Sequence, residues 1–539
     1  MIDRARLSAP VEEGGVLFEP PGEKFAQLLE GNRRVLNENS VELLGRPLVE
    51  LRAQARHEAW RAAIDYLQEA VEPLPERATS PPAALIVGGH QPELFHPGVW
   101  FKNFVLNRLA RTSGAVPLNL IVDSDIVKSV TLRLPAWGAG QLPAVDPVRV
   151  HRAMVAVDRE TADVPFEERR VVDEQLLASV PGRVAEQVRD WPFVPVLAGF
   201  WAELGQAASR TPLLGERIVS ARRAYERRWG CHNLEVPLSR LCVGPAFATF
   251  ALHLLAELPR FQAIYNESLA EYRRRHQVRS RAHPVPELAR EGDWFEAPLW
   301  GWTSDAPRRA RIFARRERDC VHLRLERAEQ PVLAVPVRDL ERGVQAWQDV
   351  AARGVRLRSR ALTTTLFARL FLADLFVHGI GGAKYDELTD AILSRFHGLP
   401  APAFVAVSAT TRLPLPHFSA HAEEASRLQH ELRDRHWNPQ RHLDGNDRTL
   451  LARKQALIAK EPGSPHERRQ RYLDLRAVTE ALRQELPSNG QQLEQGLQRL
   501  REELQANAIL ARRDYAFCLY PEQQLRDFCT QGLAGGEAY

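Results

Sequence analysis

A five-residue apolar run, Ala83–Val87, stops abruptly at Gly88-Gly89, and a second run, Val116–Val122, stops at Asp123. Runs this short suit strands covered on both faces. Trp100–Arg111 between them has helical spacing, so the order is strand, turn, helix, strand. That is a βαβ unit and demands parallel pairing. The same grammar returns at Leu375–His378, a glycine run, a helical Tyr385–Phe396 and a strand at Phe404–Val407. The expected class is therefore α/β with a parallel-sheet core, its ligands bound where the strands end.

With 539 residues, the chain has room for several domains around this core. Residues 1–80 read as a mostly helical segment closed by a proline-rich linker, and 81–160 as the first half of the core. Residues 161–356 read as an inserted region, with helical stretches at Phe166–Ser179 and Phe247–Arg275 and a strand pair at Arg309–Ala314 and Val321–Leu325. The second half of the core spans 357–417. A charged helical region covers 418–515, and a tail, 516–539, follows. In the helical region Ser464-Pro465-His466-Glu467 is a helix start with a capping box. Leu493, Leu497, Leu500, Leu504, Asn507 and Ala511 then form a short heptad seam, readable as an antiparallel hairpin or as a dimerising coiled coil.

Composition removes several classes. A charge of +4 is too small to call for nucleic acid. The five cysteines form no CxxC pair, which excludes a zinc ribbon or disulfide scaffold and suits a cytoplasmic protein. No signal-peptide pattern opens the chain, and Leu241–Pro259 is too polar for a membrane span. Only six of the 72 basic residues are lysines. Lys102, Lys128 and Lys384 lie in or beside the three loops below, where a compact ammonium differs from a guanidinium fork.

The first loop runs Gly88-Gly89-His90-Gln91-Pro92, continues through His96, and leads to Lys102. Its glycines allow close approach of an anion to backbone N–H groups, His90 can donate or exchange protons, and Lys102 can neutralise developing charge. The second, Val122-Asp123-Ser124-Asp125, offers two carboxylates to hold magnesium, orient an amine or take a proton. The third, His378-Gly379-Ile380-Gly381-Gly382-Ala383-Lys384-Tyr385, fits neither Walker nor GxGxxG spacing, yet glycines at a helix start make a phosphate cradle. Two weaker features are an aromatic group after His283-Pro284-Val285-Pro286, comprising Trp294, Trp300 and Trp302 beside Glu296, readable as an aromatic-walled pocket or as domain packing, and the adjacent pair Cys231-His232, readable as a nucleophilic pair although adjacent side chains point apart.

At these loops the sequence resembles the bacillithiol-biosynthesis cysteine ligase family. The likeness lies in Gly89-His90-Gln91-Pro92-Glu93-Leu94-Phe95 with Lys102, in Asp123-Ser124-Asp125, in Gly379 to Tyr385, and in Leu519-Tyr520-Pro521. It implies a Rossmann-like core, an inserted connecting domain, a C-terminal coiled coil that makes a homodimer, and amide formation between a cysteine carboxylate and an amino sugar. Val122, Ser124 and Gly382 stand where the family has glutamate, histidine and glutamate, which points to another acid and another amine.

The expectation is an ATP- or ADP-binding ligase acting on small molecules, without nucleic-acid or membrane partners. Phosphates would lie over Gly88, Gly89, Gln91, His378, Gly379, Gly381, Gly382 and Tyr385. His90, Lys102 and Lys384 would stabilise transferring charge, and Asp123 and Asp125 would orient magnesium or the amine. The rivals are a metal-dependent hydrolase built on His90, His96, Asp123 and Asp125, and a non-catalytic dimeric scaffold.

Overall fold

The computed structural model describes residues 7–75, 80–161, 163–326, 328, 330–443 and 448–532. Its central sheet has six strands: β1 (Val16–Glu19), β2 (Leu85–His90), β3 (Val116–Ile121), β4 (Leu234–Pro237), β5 (Leu375–His378) and β6 (Phe404–Ala409), in the spatial order β1-β6-β5-β2-β3-β4. All neighbours from β6 to β4 pair in parallel, and β1 caps the edge antiparallel to β6. Side chains alternate between two cores, as a sheet covered on both faces requires. Leu85, Val87, Phe376 and Phe404 join one cluster, while Ile86, Leu375, Val377 and Val405 join the other.

Helices α1 (Phe25–Asn37), α2 (Leu48–Glu69), α3 (Pro97–Thr112), α4 (Leu214–Arg228), α5 (Pro245–Ala256), α6 (Leu258–Arg275) and α7 (Ile380–His397) cover the two faces. Residues of α2, α5, α6 and α7 fill the first cluster, and those of α1, α3 and α4 the second. A second, antiparallel sheet joins Trp294–Thr303 to Ala306–Glu317, Cys320–Leu325, Leu333–Pro336 and Val355–Ser359.

Several boundaries differ from the sequence reading. The N-terminal segment contributes the edge strand β1 as well as helices, because Val16–Glu19 finds an open partner in Ala406–Ala409. The region 161–356 is not wholly an insertion, since it supplies β4 to the core sheet. Phe166–Ser179 is mostly irregular, with a helix only at Glu174–Ala178.

The helical arm comprises α8 (Ala422–Trp437), α9 (Arg448–Ala459), α10 (Pro465–Gln484) and α11 (Gly490–Leu510). Ser464 Oγ accepts from the Glu467 N–H at 3.2 Å, while the Glu467 carboxylate reaches back to the N–H of Gly463 rather than that of Ser464. α11 lies against α8, and α10 against α9, so α10 and α11 do not form the expected hairpin. The polar seam residue Asn507 accepts from Phe418 N and donates to Phe418 O, both at 2.9 Å. Its role is to bind a loop of its own chain. No described helix is long and apolar enough to cross a membrane.

Candidate active site

Between β2 and β5 the chain order of the strands reverses direction, and a cleft of about 1090 Å³ opens there at the strand ends. The first loop, the start of α7, the second sheet and residues 511–514 line it.

β2 continues through His90, paired with Ile121, and α3 begins at Pro97 with His96 as its cap, the ring accepting from Gly98 N at 3.1 Å. A Cβ at Gly89 would stand 2.9 Å from Leu120 O, and one at Gly98 would collide with Ala409 O. Both glycines therefore serve close packing of backbone; a Cβ on Gly88 would make only ordinary contacts. His90 donates through Nδ1 to Gln91 O at 3.2 Å, and burial pushes its pKa down to about 3. It is a neutral imidazole, which corrects its expected part in charge stabilisation.

Lys102 lies one turn into α3. It is 9% exposed, donates to Gly89 O at 3.4 Å, and has no carboxylate partner among the described residues. Burial lowers its pKa to about 8, which leaves it mostly protonated near neutrality.

The two aspartates part company. Asp123 accepts from Ser239 N at 3.0 Å and from Ser239 Oγ, and anchors the short helix Leu238–Leu241. Burial raises its pKa to about 8, and it is absent from the cleft lining. Asp123 therefore does not orient magnesium or an amine. Asp125 does line the cleft, accepting from Gln91 Nε2 and Arg309 Nη1, both at 2.9 Å. Lys128 lies outside the lining.

The third loop is shorter than expected. α7 starts at Ile380 with Gly379 as its cap, so Gly381, Gly382 and Lys384 are already helical. A Cβ on Gly382 would stand 2.6 Å from His378 Nδ1, so this glycine makes room for an imidazole rather than for phosphate. His378 is buried, and its Nε2–H donates to Asp386 Oδ2 at 2.9 Å. Arg369 donates to the same carboxylate at 2.6 Å and holds it well below the usual range. A Cβ on Gly379 would lie 3.7 Å from Lys102 Nζ, so the ammonium faces the start of α7. Lys384 and Tyr385 complete this wall, and burial raises the tyrosine pKa.

The opposite wall was legible only in part: Val285, Pro286 and Trp300 come from the aromatic group that the sequence singles out. Trp300 lies between Arg309 and Arg360, whose guanidinium carbons sit 4.8 and 4.1 Å from its ring centre. The tryptophan cluster hinted at this wall, but only the strand pairing brings Arg309 and Arg360 to it. Arg360 pairs with Glu296 at 2.7 Å. Arg512, Arg513 and Asp514 also line the cleft, and nothing in their local sequence announced it. Cys231 is buried, its thiol directed to Asn103 O at 3.5 Å and pushed up by burial, so the Cys231-His232 pair is no nucleophile.

The donor set does not fit a protein-held magnesium ion. Asp123 is held by Ser239 outside the cleft lining, and of the lining aspartates Asp125 is already paired with Arg309 and Asp514 with Arg512. No group of three His, Cys, Asp or Glu able to hold a metal occurs among the described residues, which also leaves the hydrolase reading without its centre. No family model matches the chain, and no match to a curated protein was found.

Proposed function

We propose that this chain is a nucleotide-dependent ligase that joins a small, amino-acid-like carboxylic acid to an amine. The observation that carries the reading is Lys102, a buried ammonium without a counter-ion, facing the first turn of α7 at the switch point of the sheet. Burying an unpaired charge costs several kcal/mol, roughly, and an anionic ligand offsets that cost. Counted from β2, the five parallel strands follow the order 3-2-1-4-5, that of doubly wound, Rossmann-like sheets with nucleotides in this crevice. The cleft volume of about 1090 Å³ is large enough for a nucleotide beside a small acid.

A bound nucleoside triphosphate supplies the activation of the carboxylate. Lys102, Lys384 and the free N–H groups of α7 hold phosphoryl oxygens and stabilise their charge. Asp125, fixed by Gln91 and Arg309, orients the amine, and neutral His90 offers Nε2 as an acceptor for one amine hydrogen. The carboxylate oxygen bonds to a phosphorus atom of the triphosphate as a P–O bridge within it breaks. The amine nitrogen then bonds to the acyl carbon, the C–O bond to the phosphoryl group breaks, the phosphoryl group leaves with that oxygen, and one amine proton passes to solvent.

The test is thermal stability with and without ATP. At about 100 times its dissociation constant the ligand should stabilise the fold by roughly 2.7 kcal/mol. The shift should vanish in Lys102→Met and shrink in Lys384→Ala; no shift in the wild type overturns the reading. A homodimer through the helical arm accompanies this proposal, supported by exposed Trp437, Ile458, Tyr472 and Leu473. A cytoplasmic location fits the five free cysteines.

A further inference from the structure

Residues Ala511–Asp514 leave the end of α11 and pass along the cleft as a strap. Within it Arg512 pairs with Asp514. Arg513 is different. Its Nη2 donates to Ser408 Oγ at 3.4 Å and Ala409 O at 3.3 Å, at the end of β6, and it has no carboxylate within ion-pair distance among the described residues. Nη1 is out of solvent and finds no acceptor. The guanidinium stands beside the start of α3, with Nη2 3.1 Å from where a Cβ of Gly98 would lie. His96, the cap of that helix, is held neutral by burial and then by Arg513, its pKa near 4. A cation at the positive end of a helix is unfavourable by itself, and an anion between them reverses the sign.

Lys102 follows Gly98 by one turn of the same helix, about 6 Å along its axis. The cleft thus offers two cations without a carboxylate partner among the described residues, Lys102 facing the start of α7 and Arg513 beside the cap of α3. We propose that the cleft takes its ligand as a diphosphate. Lys102 and the start of α7 hold one phosphoryl group, and the Arg513 guanidinium holds its neighbour. The planar fork of Arg513 suits a phosphoryl group that presents two oxygens. This inference rests on the anion-binding reading of the cleft and adds the chemical class of the ligand. It also makes the strap part of the site, so that the end of α11 is tied to the bound ligand.

Calorimetric titration of the full chain with orthophosphate, pyrophosphate and ADP tests it. The wild type should bind pyrophosphate at least about tenfold more tightly than orthophosphate, a difference of roughly 1.4 kcal/mol. Arg513→Gln should abolish that preference and leave orthophosphate binding unchanged, whereas Lys102→Met should weaken both. Arg513→Lys keeps the charge without the fork and should recover part of the preference, with unchanged melting of the free protein as the check on folding. If Arg513→Gln keeps the preference, or loses both anions equally, the two-point inference fails while the anion site stands. If the wild type binds none of the three, the functional reading fails with it. ADP tighter than pyrophosphate identifies a nucleotide; equal affinities identify a diphosphate recognised without its base.

Discussion

At the scale of single residues, burial decides which ionisable groups can do chemistry. Asp123 and Lys102 are both buried, but Asp123 is satisfied by Ser239 while Lys102 lacks a counter-ion. Lys102→Met should therefore lower turnover on the order of 100–1000-fold. Asp123→Asn should leave turnover within a few-fold, because the carboxyl is already held mostly neutral at pH 7 by burial. Steady-state kinetics on the two variants separates the roles, and an inactive, fully folded Asp123→Asn would return that residue to the chemistry. The histidines set the acid sensitivity. Burial lowers the pKa of His90 and His397 to about 3 and of His96 and His253 to about 4. Their unfolded values lie near 6.5, so the unfolded chain binds the extra protons. Their contribution to stability is whole above about pH 6.5 and is lost as the pH falls towards 4. Asp123, raised to about 8, acts in the opposite sense, its contribution being lost as the pH rises through 8. Burial also lowers the pKa of His378, His417 and His436 and raises that of Glu93, Glu216 and Glu226, so seven groups oppose four and the urea midpoint should drop between pH 6.5 and 5. Both ring nitrogens of His397 lack hydrogen-bond partners among the described residues. His397→Phe should therefore reduce that pH dependence and leave stability at pH 7 equal or higher.

At the scale of elements, local signals predicted helices, strands and the parallel pairing within each βαβ unit well, and more distant partners poorly. The strands at 85, 116, 375 and 404 were legible because each is a short apolar run ended by a turn. β1 was not, since Val16–Glu19 becomes a strand only by pairing with β6. The glycine-rich third loop misled for a related reason: three glycines suggest a loop, but the sheet and His378 allow α7 to start at once. The heptad of α11 carries a similar lesson. Asn507→Leu would strengthen a dimerising seam, whereas here it removes two bonds to Phe418. The expected outcome is a loss of about 1–3 kcal/mol, with the unpaired Phe418 groups as its cause, and no change in oligomeric mass by light scattering. A stabilised, more tightly associated variant would restore the coiled-coil interpretation.

At the scale of the whole molecule, buried ion pairs hold the layers together. Arg222 donates to both Glu226 and Glu235, and Glu226 also accepts from Trp100 Nε1 and Asn103, so α4, β4 and α3 share one network. Arg222→Leu strands the buried Glu226 carboxylate, while Glu235 keeps Arg223 at 3.3 Å, and should cost about 3–5 kcal/mol, measurable by denaturant unfolding. Nothing in the sequence near Arg222 distinguishes it from the chain's many surface arginines. The same holds for Arg309, Arg360 and Arg513, whose cleft positions depend on partners distant in the chain. What the sequence by itself determined was the α/β class, the parallel units and the first loop with Lys102, because periodicity and turn chemistry act over a few residues. Tertiary structure alone decided that Asp123 would be an anchor, that Gly382 would accommodate His378, and that residue 513 would meet residue 98. Burial and long-range contact, which set charge state and partnership, exist only once the chain has closed on itself.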